Sequence, residues 1–376
     1  AVADDGGSVI VAAAELATDF LVARLTALTG ASPDLALTHH RAKVLKVRLY
    51  TEDVVLVPLP DWLTGEAARA LADPASDLAN PLRGPFDARR KAVAAANVAA
   101  VAEAAGVPTV VRFFGRETAA DLVAHGKAAD LAAGNNVLAH VPDINDFVGG
   151  FALLLKPSGV ATFEFPHLYE MVRGNQFDTA YHEHYSYLSL LSVERIFRAN
   201  GLTVFDVETT PHHGGSLRVF ACRSDRQAHP VTPAVAAMLE RERSAGMDGR
   251  AFYSGFQKTA EAARDGFRAF LADAKARGLK VAAYGAAAKG NTLLNFAGAD
   301  AGDIAFVVDR NPAKQGRYMP GSHIPIVGED RLISDQPDRV VILPWNIETE
   351  IRTQLTFISD WGGQFVTAIP QLATRS

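Results

Sequence analysis

The chain has 376 residues, of which 48% are hydrophobic and 21% are charged, and its formal net charge is −5. This length exceeds what one hydrophobic core usually holds, so two or three domains are expected. The negative charge and the absence of a basic block argue against a general nucleic-acid surface. The single cysteine, Cys222, excludes an intramolecular disulfide and a cysteine-based structural zinc site. With no apolar run of about 18 residues and an acidic start, AVADDGG, the sequence predicts a cytoplasmic protein without a membrane span.

Residues 1–93 form a divergent N-terminal segment. Val11 to Leu28 has the apolar spacing of a helix. The stretch THHRAKVLKVRLYTEDVVLVPLP, Thr38 to Pro60, suggests a β-hairpin, and a Pro/Ala-rich run follows from Asp73 to Pro85. No strand predicted in this segment leads into a glycine-rich turn.

From about Ala94 the pattern alternates helices with short apolar strands, which is typical of an α/β fold. The predicted helices are Asn97–Ala105, Thr118–Ala124, Ile144–Leu155 and Ser192–Asn200. The predicted strands are Val107–Phe113, Ala129–Ala133, Val160–Phe165, Leu202–Val207 and Ser216–Ala221. Gly106 and Gly201 mark helix ends, and Lys156–Gly159 predicts a turn. Residues 94–233 are therefore predicted to form one α/β core.

A charged helical stretch, Ala234–Ala276, is predicted to connect this core to a second α/β unit at residues 277–376. The predicted elements of that unit are the strands Lys280–Tyr284, Ile304–Val308 and Val340–Leu343, the turn GAAAKGN and a helix that opens at Thr292–Phe296. A strand, a small-residue turn and a helix N-terminus can hold phosphate, because free amides and the helix dipole face the anion. Tight strand-to-helix packing explains the small residues equally well. The turn matches neither the Walker loop nor the GxGxxG fingerprint.

The densest cluster of titratable side chains is QFDTAYHEHYSYLS, Gln176–Ser189. Seven consecutive positions in it contain Tyr181, His182, Glu183, His184, Tyr185 and Tyr187. Histidine titrates near neutrality, a carboxylate can orient an imidazole, and a tyrosine hydroxyl can donate to an oxyanion. The segment therefore predicts a proton-transfer site. The alternative is a polar loop whose histidines are structurally satisfied.

Several separated motifs lie between Ala94 and Pro370: AANVAAVAEAAGVPTVVRFFG, NNVLAHVPDINDFV, FEFPHLYEM, FDTAYHEHYSYLS, HGGSLRVFA, YGAAAKGNTLLNF, VDRNPAKQGRYMPGSHIPI and ILPWN. In this order they resemble the nucleotide-sugar C-methyltransferases, a class I family that uses S-adenosylmethionine and is typified by dTDP-sugar C-3-methyltransferases. The resemblance implies a Rossmann-like methyltransferase domain with the sugar site, followed by a C-terminal Rossmann-like α/β domain that helps to hold the nucleotide sugar. It also implies S-adenosylmethionine as cofactor and a dTDP-4-keto sugar as substrate. No metal is expected, because the sequence shows no supporting ligand pattern.

The resemblance gives four residues catalytic roles. His184 is implied as the base that removes the acidic C–H beside a sugar ketone, and Glu183 as its orienting or charge-balancing partner. Tyr181 is implied as a donor near the ketone, and His140 as a further active-site histidine. The enolate carbon formed in this way would attack the methyl sulfonium in line, which requires a dry pocket that aligns the two.

Further residues match family positions near the cofactor or the substrate. The cofactor-side matches are Phe113, Phe114, Asn135 and Asn136. The substrate-side matches are His182, His213, Gly214, Lys289, Asn291 and Asn295. A plain hairpin turn at the HGG motif and a structural role for Lys289 and its neighbours are the alternatives, and Trp345 is expected either to stack or to cap a strand. A metal site formed by the clustered histidines has no supporting ligand pattern.

The cofactor half departs from the family. The N-terminal cysteine module that binds zinc, an early tyrosine-containing segment and the E-x-G-x-x-x-G turn are not found, and no acidic residue stands near Val93, where the cofactor ribose requires one. Three explanations are open: a rebuilt N-terminal segment that binds the cofactor, loss of methylation with retained ketosugar binding, or an altered coding segment within residues 30–91. The functional alternatives are a ketosugar epimerase or isomerase and a catalytically inactive nucleotide-sugar-binding protein.

Overall fold

The structure, a computed structural model, describes residues 9–12, 45–49, 52–56, 110, 112–181 and 183–375, the first three ranges as backbone strands. The chain divides into two compact units. The first contains Ala1–His167, Tyr185–Thr210 and Ser216–Ser244, and the second contains Leu168–His184, Pro211–Gly215 and Ala245–Ser376. Two short segments from the middle of the chain thus belong to the unit that the C-terminal residues build.

The first unit is built on a seven-stranded mixed sheet. Its strands are β1 Val9–Ala12, β2 Leu45–Leu49, β3 Glu52–Leu56, β4 Ala129–Asn135, β5 Leu155–Pro166, β6 Leu202–Thr210 and β7 Ser216–Arg223. Their order in the sheet is β2-β3-β1-β4-β5-β7-β6. Strands β1, β4 and β5 run parallel, whereas β7 is antiparallel to both β5 and β6, and β2 and β3 form an antiparallel hairpin.

The helices of the described residues are short, apart from one long helix in the second unit. In chain order they are α1 Arg116–Ala124, α2 Ile144–Leu154, α3 Leu168–Arg173, α4 Leu190–Ala199, α5 Pro233–Ser244, α6 Phe256–Ala276, α7 Ala288–Ala297, α8 Asp330–Asp335 and α9 Glu348–Gln354. In the first unit, α2 begins after Asp143, whose carboxylate accepts a hydrogen bond from the Asp146 amide. Its Phe147 and Phe151 pack on Phe163 of β5, with ring centroids 6.5 and 4.6 Å away. These aromatic contacts fix α2 on the sheet that ends at the candidate cofactor residues.

The N-terminal segment contains one wrong prediction and one confirmed one. The predicted helix Val11–Leu28 is wrong at its start, because Val9–Ala12 is strand β1 and pairs in parallel with β4. The β-branched run that opens β1 favours an extended strand, and its pairing partner is remote in sequence. The remainder of that helix lies outside the described residues, as does the predicted helix Asn97–Ala105. The predicted hairpin within Thr38–Pro60 is confirmed by the pairing of β2 with β3.

The predicted strand Val107–Phe113 is wrong at its end, since Val110, Arg112 and Phe113 are not in a strand, and its other residues lie outside the described residues. These residues lead into α1 instead. The carbonyl oxygen of Phe113 accepts a hydrogen bond of 2.6 Å from the Thr118 hydroxyl. The guanidinium of Arg112 donates to the Asp121 carboxylate at 3.0 Å. Side-chain bonds therefore join Arg112 and Phe113 to the following helix.

The predicted turn at Lys156–Gly159 is wrong, because these residues lie inside β5. The register with β4 shifts directly after the pair Ala129–Leu155, so the stretch forms an irregularity within the strand. A Cβ on Gly159 would lie 2.6 Å from the Ala129 carbonyl oxygen, which explains why glycine stands at this close approach. The other elements predicted between Thr118 and Ala221 are confirmed, with ends within three residues of the prediction apart from the start of β5, which lies five residues before the predicted Val160.

The second unit contains a six-stranded sheet. Its strands are β8 Val281–Tyr284, β9 Val307–Val308, β10 Ile326–Val327, β11 Arg339–Ile342, β12 Gln364–Thr367 and β13 Ala373–Arg375. The order is β10-β9-β8-β11-β12-β13, and all neighbours are parallel except β13, which is antiparallel to β12. Counted from β8, this is the 3-2-1-4-5-6 order of the Rossmann fold. Ligands of such sheets bind outside the carboxyl ends of the strands where the order reverses, here between β8 and β11.

The predicted elements of this unit are present with changed ends. The predicted strand Ile304–Val308 is reduced to β9, and the helix predicted to open at Thr292 begins at Ala288. The stretch predicted as one connector, Ala234–Ala276, is two helices, α5 and α6, which belong to different units. Both units are α/β, which confirms the predicted fold class. Within the described residues, no helix is long and apolar enough to cross a membrane.

Candidate active site

The segment that contains His184 is folded by local bonds. Phe177–Thr179 forms a turn of 3-10 helix, in which the Ala180 amide donates to the Phe177 carbonyl at 2.9 Å. The buried Phe177 ring packs edge to face on Phe296 of α7, with centroids 5.4 Å apart. This aromatic contact ties the turn to the helix that begins at the carboxyl end of β8.

His184 has one ring nitrogen engaged with the backbone. Nδ1 lies 2.7 Å from the carbonyl oxygen of Thr179, which can only accept, so Nδ1 carries a proton. In the neutral ring the lone pair is then on Nε2. Burial lowers the pKa of His184, although the Thr179 carbonyl and the charge of Glu183 oppose this effect and the charge of Lys289 adds to it. The imidazole is therefore neutral at pH 7 and equipped to accept a proton.

Two predicted neighbours of His184 lie beside it in the same segment. The Tyr181 ring packs on the imidazole with centroids 4.2 Å apart and planes inclined by 30°. Glu183 acts on His184 through its charge, whereas the group that orients Nδ1 is the Thr179 carbonyl. His182 lies outside the described residues.

A buried acid, Asp178, adjoins the carbonyl that orients His184. Its side chain is 0% exposed, and its Oδ2 accepts a hydrogen bond of 2.8 Å from the Trp345 indole nitrogen. Burial raises the pKa of Asp178 to about 6, against the opposing effects of the Lys289 charge and the Trp345 bond. The buried Asp178 and the half-buried Lys289 thus carry opposite charges and both contact Trp345, the acid at the indole nitrogen and the cation over the ring.

Lys289 completes this cluster from the first turn of α7. Its Nζ lies 4.8 Å from the Trp345 ring centroid and donates to Asn346 Oδ1 at 2.8 Å. Burial lowers the pKa of Lys289, and the Asp178 charge opposes that change. Lys289 follows β8, and Trp345 and Asn346 follow β11, so this cluster stands where the strand order reverses.

The two asparagines predicted on α7 differ in their surroundings. Asn291 has a buried Oδ1 with no hydrogen-bond partner among the described residues, which leaves an acceptor for a ligand. The Asn295 amide instead donates to the carbonyls of Asn291 and Pro320, at 2.8 and 2.9 Å. Those bonds give Asn295 a role in holding the loop at Pro320.

The HGG motif forms a tight turn in the same unit. His213, Gly214 and Gly215 all have positive φ, of 57°, 92° and 118°. The Gly214 carbonyl accepts a hydrogen bond of 2.7 Å from Gln176 Nε2. A Cβ on Gly214 would collide with the Trp345 ring, so the glycine allows this turn to lie directly on the tryptophan.

The predicted cofactor residues belong to the first unit. Asn135 ends β4, and Asn136 follows it with φ 55° and donates its amide to the Glu164 carbonyl at 2.6 Å. The Oδ1 atoms of both asparagines are buried without a hydrogen-bond partner among the described residues. Two unsatisfied acceptors at the carboxyl end of a parallel strand fit a polar ligand with hydroxyl or amino donors, such as S-adenosylmethionine.

Other predicted residues of the first unit pack in its core or lie in a buried turn. The Phe114 ring packs on Phe147 and Phe151 of α2, at 5.8 and 4.9 Å, and Phe113 packs against the same core. His140 ends a buried 3-10 turn, Leu138–His140. In the parts of the chain that the structure describes, no group of three or more His, Cys, Asp or Glu residues is arranged to hold a metal.

Sequence reasoning missed Asp178 and Gln176, although both lie in the segment that it singled out. An isolated acid beside Phe177 carries no local pattern, and its bond to Trp345 spans 167 positions. The signal available in the sequence was the place of Asp178 three residues before Tyr181, where the cluster of histidines and tyrosines begins.

Comparisons with known proteins agree with this arrangement. Residues 211–370 match the family described as C-methyltransferase C-terminal domain, and residues 56–207 match a methyltransferase domain. The second match begins before Ala94, so part of the segment predicted as divergent belongs to that domain.

Individual relatives differ in how much of the chain they match. C-methyltransferase NovU of Streptomyces niveus is 39% identical over 277 residues, which is 74% of this chain and 66% of that protein. The chain thus spans just under two thirds of the length of NovU. A stretch of 53 residues, 14% of each chain, is 53% identical to GTP cyclohydrolase-2 of Azospirillum brasilense, and a match of that length shows no shared activity. Together these matches identify a methyltransferase domain followed by a C-methyltransferase C-terminal domain, and the chain is similar to NovU over most of its length.

Proposed function

We propose that the protein methylates a carbon of a nucleotide-linked 4-keto deoxysugar, with dTDP as the nucleotide and S-adenosylmethionine as the methyl donor, in deoxysugar biosynthesis. The observation that carries this proposal is His184, a neutral imidazole whose Nδ1 is held 2.7 Å from the Thr179 carbonyl. The two domain matches and the similarity to NovU support the reaction type. The nucleotide and the sugar follow from the resemblance in the motifs.

His184 is the proposed base. Its Nε2 takes the proton from the carbon beside the sugar ketone, and the electron pair of the broken C–H bond forms the enolate. The imidazolium that results keeps its Nδ1–H on the Thr179 carbonyl, which stabilises the new positive charge. The charge of Glu183 also favours this protonated state. The Tyr181 hydroxyl is the proposed donor to the enolate oxygen.

The second unit is the proposed holder of the nucleotide. Lys289 places a cation at the point where the Rossmann-like strand order reverses, which suits a diphosphate. The unsatisfied Oδ1 of Asn291 suits a hydroxyl or imino donor. The turn at His213 and Gly214 is proposed to lie along the sugar, and His182 and Asn295 are proposed as further contacts.

The cofactor is proposed to bind at the carboxyl end of β4. Asn135, Asn136 and His140 would hold it, with Phe113 and Phe114 as apolar support, and the buried acceptors of the two asparagines fit its hydroxyl and amino donors. When bound, S-adenosylmethionine supplies a methyl group activated by a sulfonium. The decisive experiment is calorimetric titration with S-adenosylhomocysteine. Absence of binding at millimolar ligand would rule out a methyltransferase.

The missing glycine-rich turn favours one second candidate, an enzyme that enolises the ketosugar without transferring methyl. Such an epimerase or isomerase would keep His184 and would exchange the substrate C–H with solvent deuterium without methyl uptake. A protein that only binds the nucleotide sugar would bind dTDP and exchange no hydrogen. Mass spectrometry of the recovered sugar, with and without S-adenosylmethionine, separates the three outcomes.

A further inference from the structure

The 3-10 turn Phe177–Thr179 carries two features of the proposed site on adjacent residues. The Thr179 carbonyl bonds to His184 Nδ1, and the Asp178 side chain bonds to the Trp345 indole. Any movement of Asp178 therefore moves the carbonyl that orients the base. The Trp345 bond joins this turn to the loop after β11.

The burial of Asp178 requires a compensating charge. Oδ2 accepts from Trp345, and the backbone amides of Asp178 and Thr179 also favour the charged form of the carboxyl, but these donors do not offset the effect of burial on its pKa. Removing a carboxylate from water costs several kcal/mol unless an opposite charge or donors replace the lost hydration. The cation that acts on Asp178 is Lys289, and each group shifts the pKa of the other toward its charged form.

The positive charge of Lys289 also acts on His184 and disfavours the protonated imidazole. After burial, which is the main cause, the Lys289 charge is one of the influences that lower the pKa of His184. A carboxylate paired with Lys289 reduces the positive potential that reaches the imidazole. Asp178 can therefore affect proton transfer without touching the substrate.

The other charged groups near this turn have separate partners. Glu183, in the same segment, raises the pKa of His184. Helix α3 packs against the turn, but its Arg173 donates to the Tyr169 hydroxyl at 2.5 Å, and its Glu170 side chain lies against Gly215. The described charges that act directly on the His184 ring are thus Glu183 and Lys289, and Asp178 bears on the ring through its interactions with Lys289 and Trp345.

We propose that Asp178 is a positioning residue for His184. It balances the charge of Lys289, and through its bond to Trp345 it fixes the turn whose Thr179 carbonyl orients the imidazole. The inference rests on the proposed role of His184 as the base, and it adds a buried acid that does not contact the reacting atoms.

The test is an NMR titration of the His184 ring in the full chain, with the signal assigned by its loss in His184→Gln. Asp178→Asn keeps the shape and an acceptor for Trp345 but removes the charge, so the pKa of His184 falls by roughly half a unit or more. Lys289→Met removes the cation and therefore raises the pKa of His184. The double variant, Asp178→Asn with Lys289→Met, returns the pKa of His184 toward its value in the unaltered protein. Asp360→Asn, which removes one exposed carboxylate of the same unit, leaves it unchanged.

A second variant tests the positional role. Trp345→Phe removes the donor to Asp178 but no charge, and it should slow deuterium exchange of the ketosugar by about tenfold or more through misplacement of the base. Loss of the indole donor also raises the pKa of Asp178, and the weaker negative charge of this carboxyl lowers the pKa of His184. Trp345→Phe therefore replaces Asp178→Asn as the test if Asp178→Asn does not fold. A His184 titration that is unchanged in Asp178→Asn, or in Trp345→Phe where it is the substitute, overturns the inference.

The titration uses neither cofactor nor sugar. Its failure therefore counts against the Asp178–Lys289 pair alone. Failure of the unaltered protein to bind S-adenosylhomocysteine, or to exchange the sugar C–H, counts against the proposed function instead.

Discussion

The Nδ1 atom of His184 lies 2.7 Å from the carbonyl oxygen of Thr179, five residues earlier in the same segment. A carbonyl cannot donate, so this contact selects one tautomer and turns the basic nitrogen away from the backbone. Catalytic histidines are commonly oriented by a second group on the opposite ring nitrogen, and in this protein a main-chain oxygen takes that place.

Replacement of His184 by Ala is expected to lower methyl transfer and substrate deuterium exchange by about 10²–10⁴-fold, the usual contribution of a general base. The fold should survive, because the side chain is only partly buried. His125→Ala is the matched control, since the exposed His125 ring also has Nδ1 on a backbone carbonyl, that of Asp121, at 2.8 Å. Near-normal methylation by His184→Ala would contradict the assignment.

The pH at which the rate of substrate deuterium exchange falls on the acid side should lie below the ordinary pKa of histidine. Burial lowers the pKa of His184, and only the neutral ring accepts a proton. The rate of deuterium exchange should therefore be level at pH 7 and fall only as the pH drops through a value below 6.5. A profile of exchange rate against pH between 5 and 8 measures the midpoint of this fall. A midpoint above 6.5 would show that the imidazole is stabilised in its charged form.

Asp178→Asn should stabilise the protein at neutral pH. Folding raises the pKa of Asp178 from 3.8 to about 6, so the folded state holds the proton more tightly and stability falls as the pH rises through that window. The difference corresponds to about 3 kcal/mol above pH 6. The neutral Asn avoids this loss. Urea unfolding of both proteins should give a larger midpoint for the variant at pH 7.5 and nearly equal midpoints at pH 4; equal midpoints at both pH values would contradict the buried charge.

Local sequence pattern predicted most of the fold from Thr118 onward. Helices such as α2 and α4 and strands such as β6 and β7 bury apolar residues at regular spacing, which is visible without the partner elements. The failures occurred where distant or side-chain contacts decide. Strand β1 depends on pairing with β4, more than 100 residues away, and the Lys156–Gly159 stretch stays extended because it continues a central strand.

The candidate site was predictable only in part. The histidines and tyrosines of the 181–187 segment stand out by composition, so proton transfer could be inferred from the sequence. Asp178 could not be inferred, because its significance comes from complete burial and from contacts with Trp345 and Lys289, which are remote in sequence. The sequence also did not indicate that this segment and the HGG turn group with the C-terminal strands.

Glu242→Ala should destabilise the first unit strongly. The fully buried Glu242 accepts from His167 Nε2 and from the amides of Leu190 and Leu191 at the start of α4, at 2.7, 2.7 and 2.8 Å. Leaving two buried donors and one part-buried donor unmatched costs about 3 kcal/mol or more. Glu242→Gln retains an acceptor and should lose less. Urea unfolding checks the order, and equal midpoints for the two variants would show that the carboxyl oxygens are not the stabilising element.

The HGG turn offers a paired test of shape at the site. Gly214→Ala combines a positive φ of 92° with a Cβ that collides with the Trp345 ring. Gly246→Ala is the matched control, because Gly246 has φ 83° and open space around the added Cβ. The control should lose about 1–2 kcal/mol from backbone strain and leave the Trp345 indole N–H resonance unchanged.

Gly214→Ala should lose more stability than that control and should shift the Trp345 resonance, because the ring must move and its bond to Asp178 must lengthen. Substrate deuterium exchange should fall with it, since the displaced indole releases the turn that carries the Thr179 carbonyl. If both alanine variants lose equal stability and keep the Trp345 resonance in place, the turn does not rest on the tryptophan in solution, and the link from Gly214 through Trp345 to the base is absent.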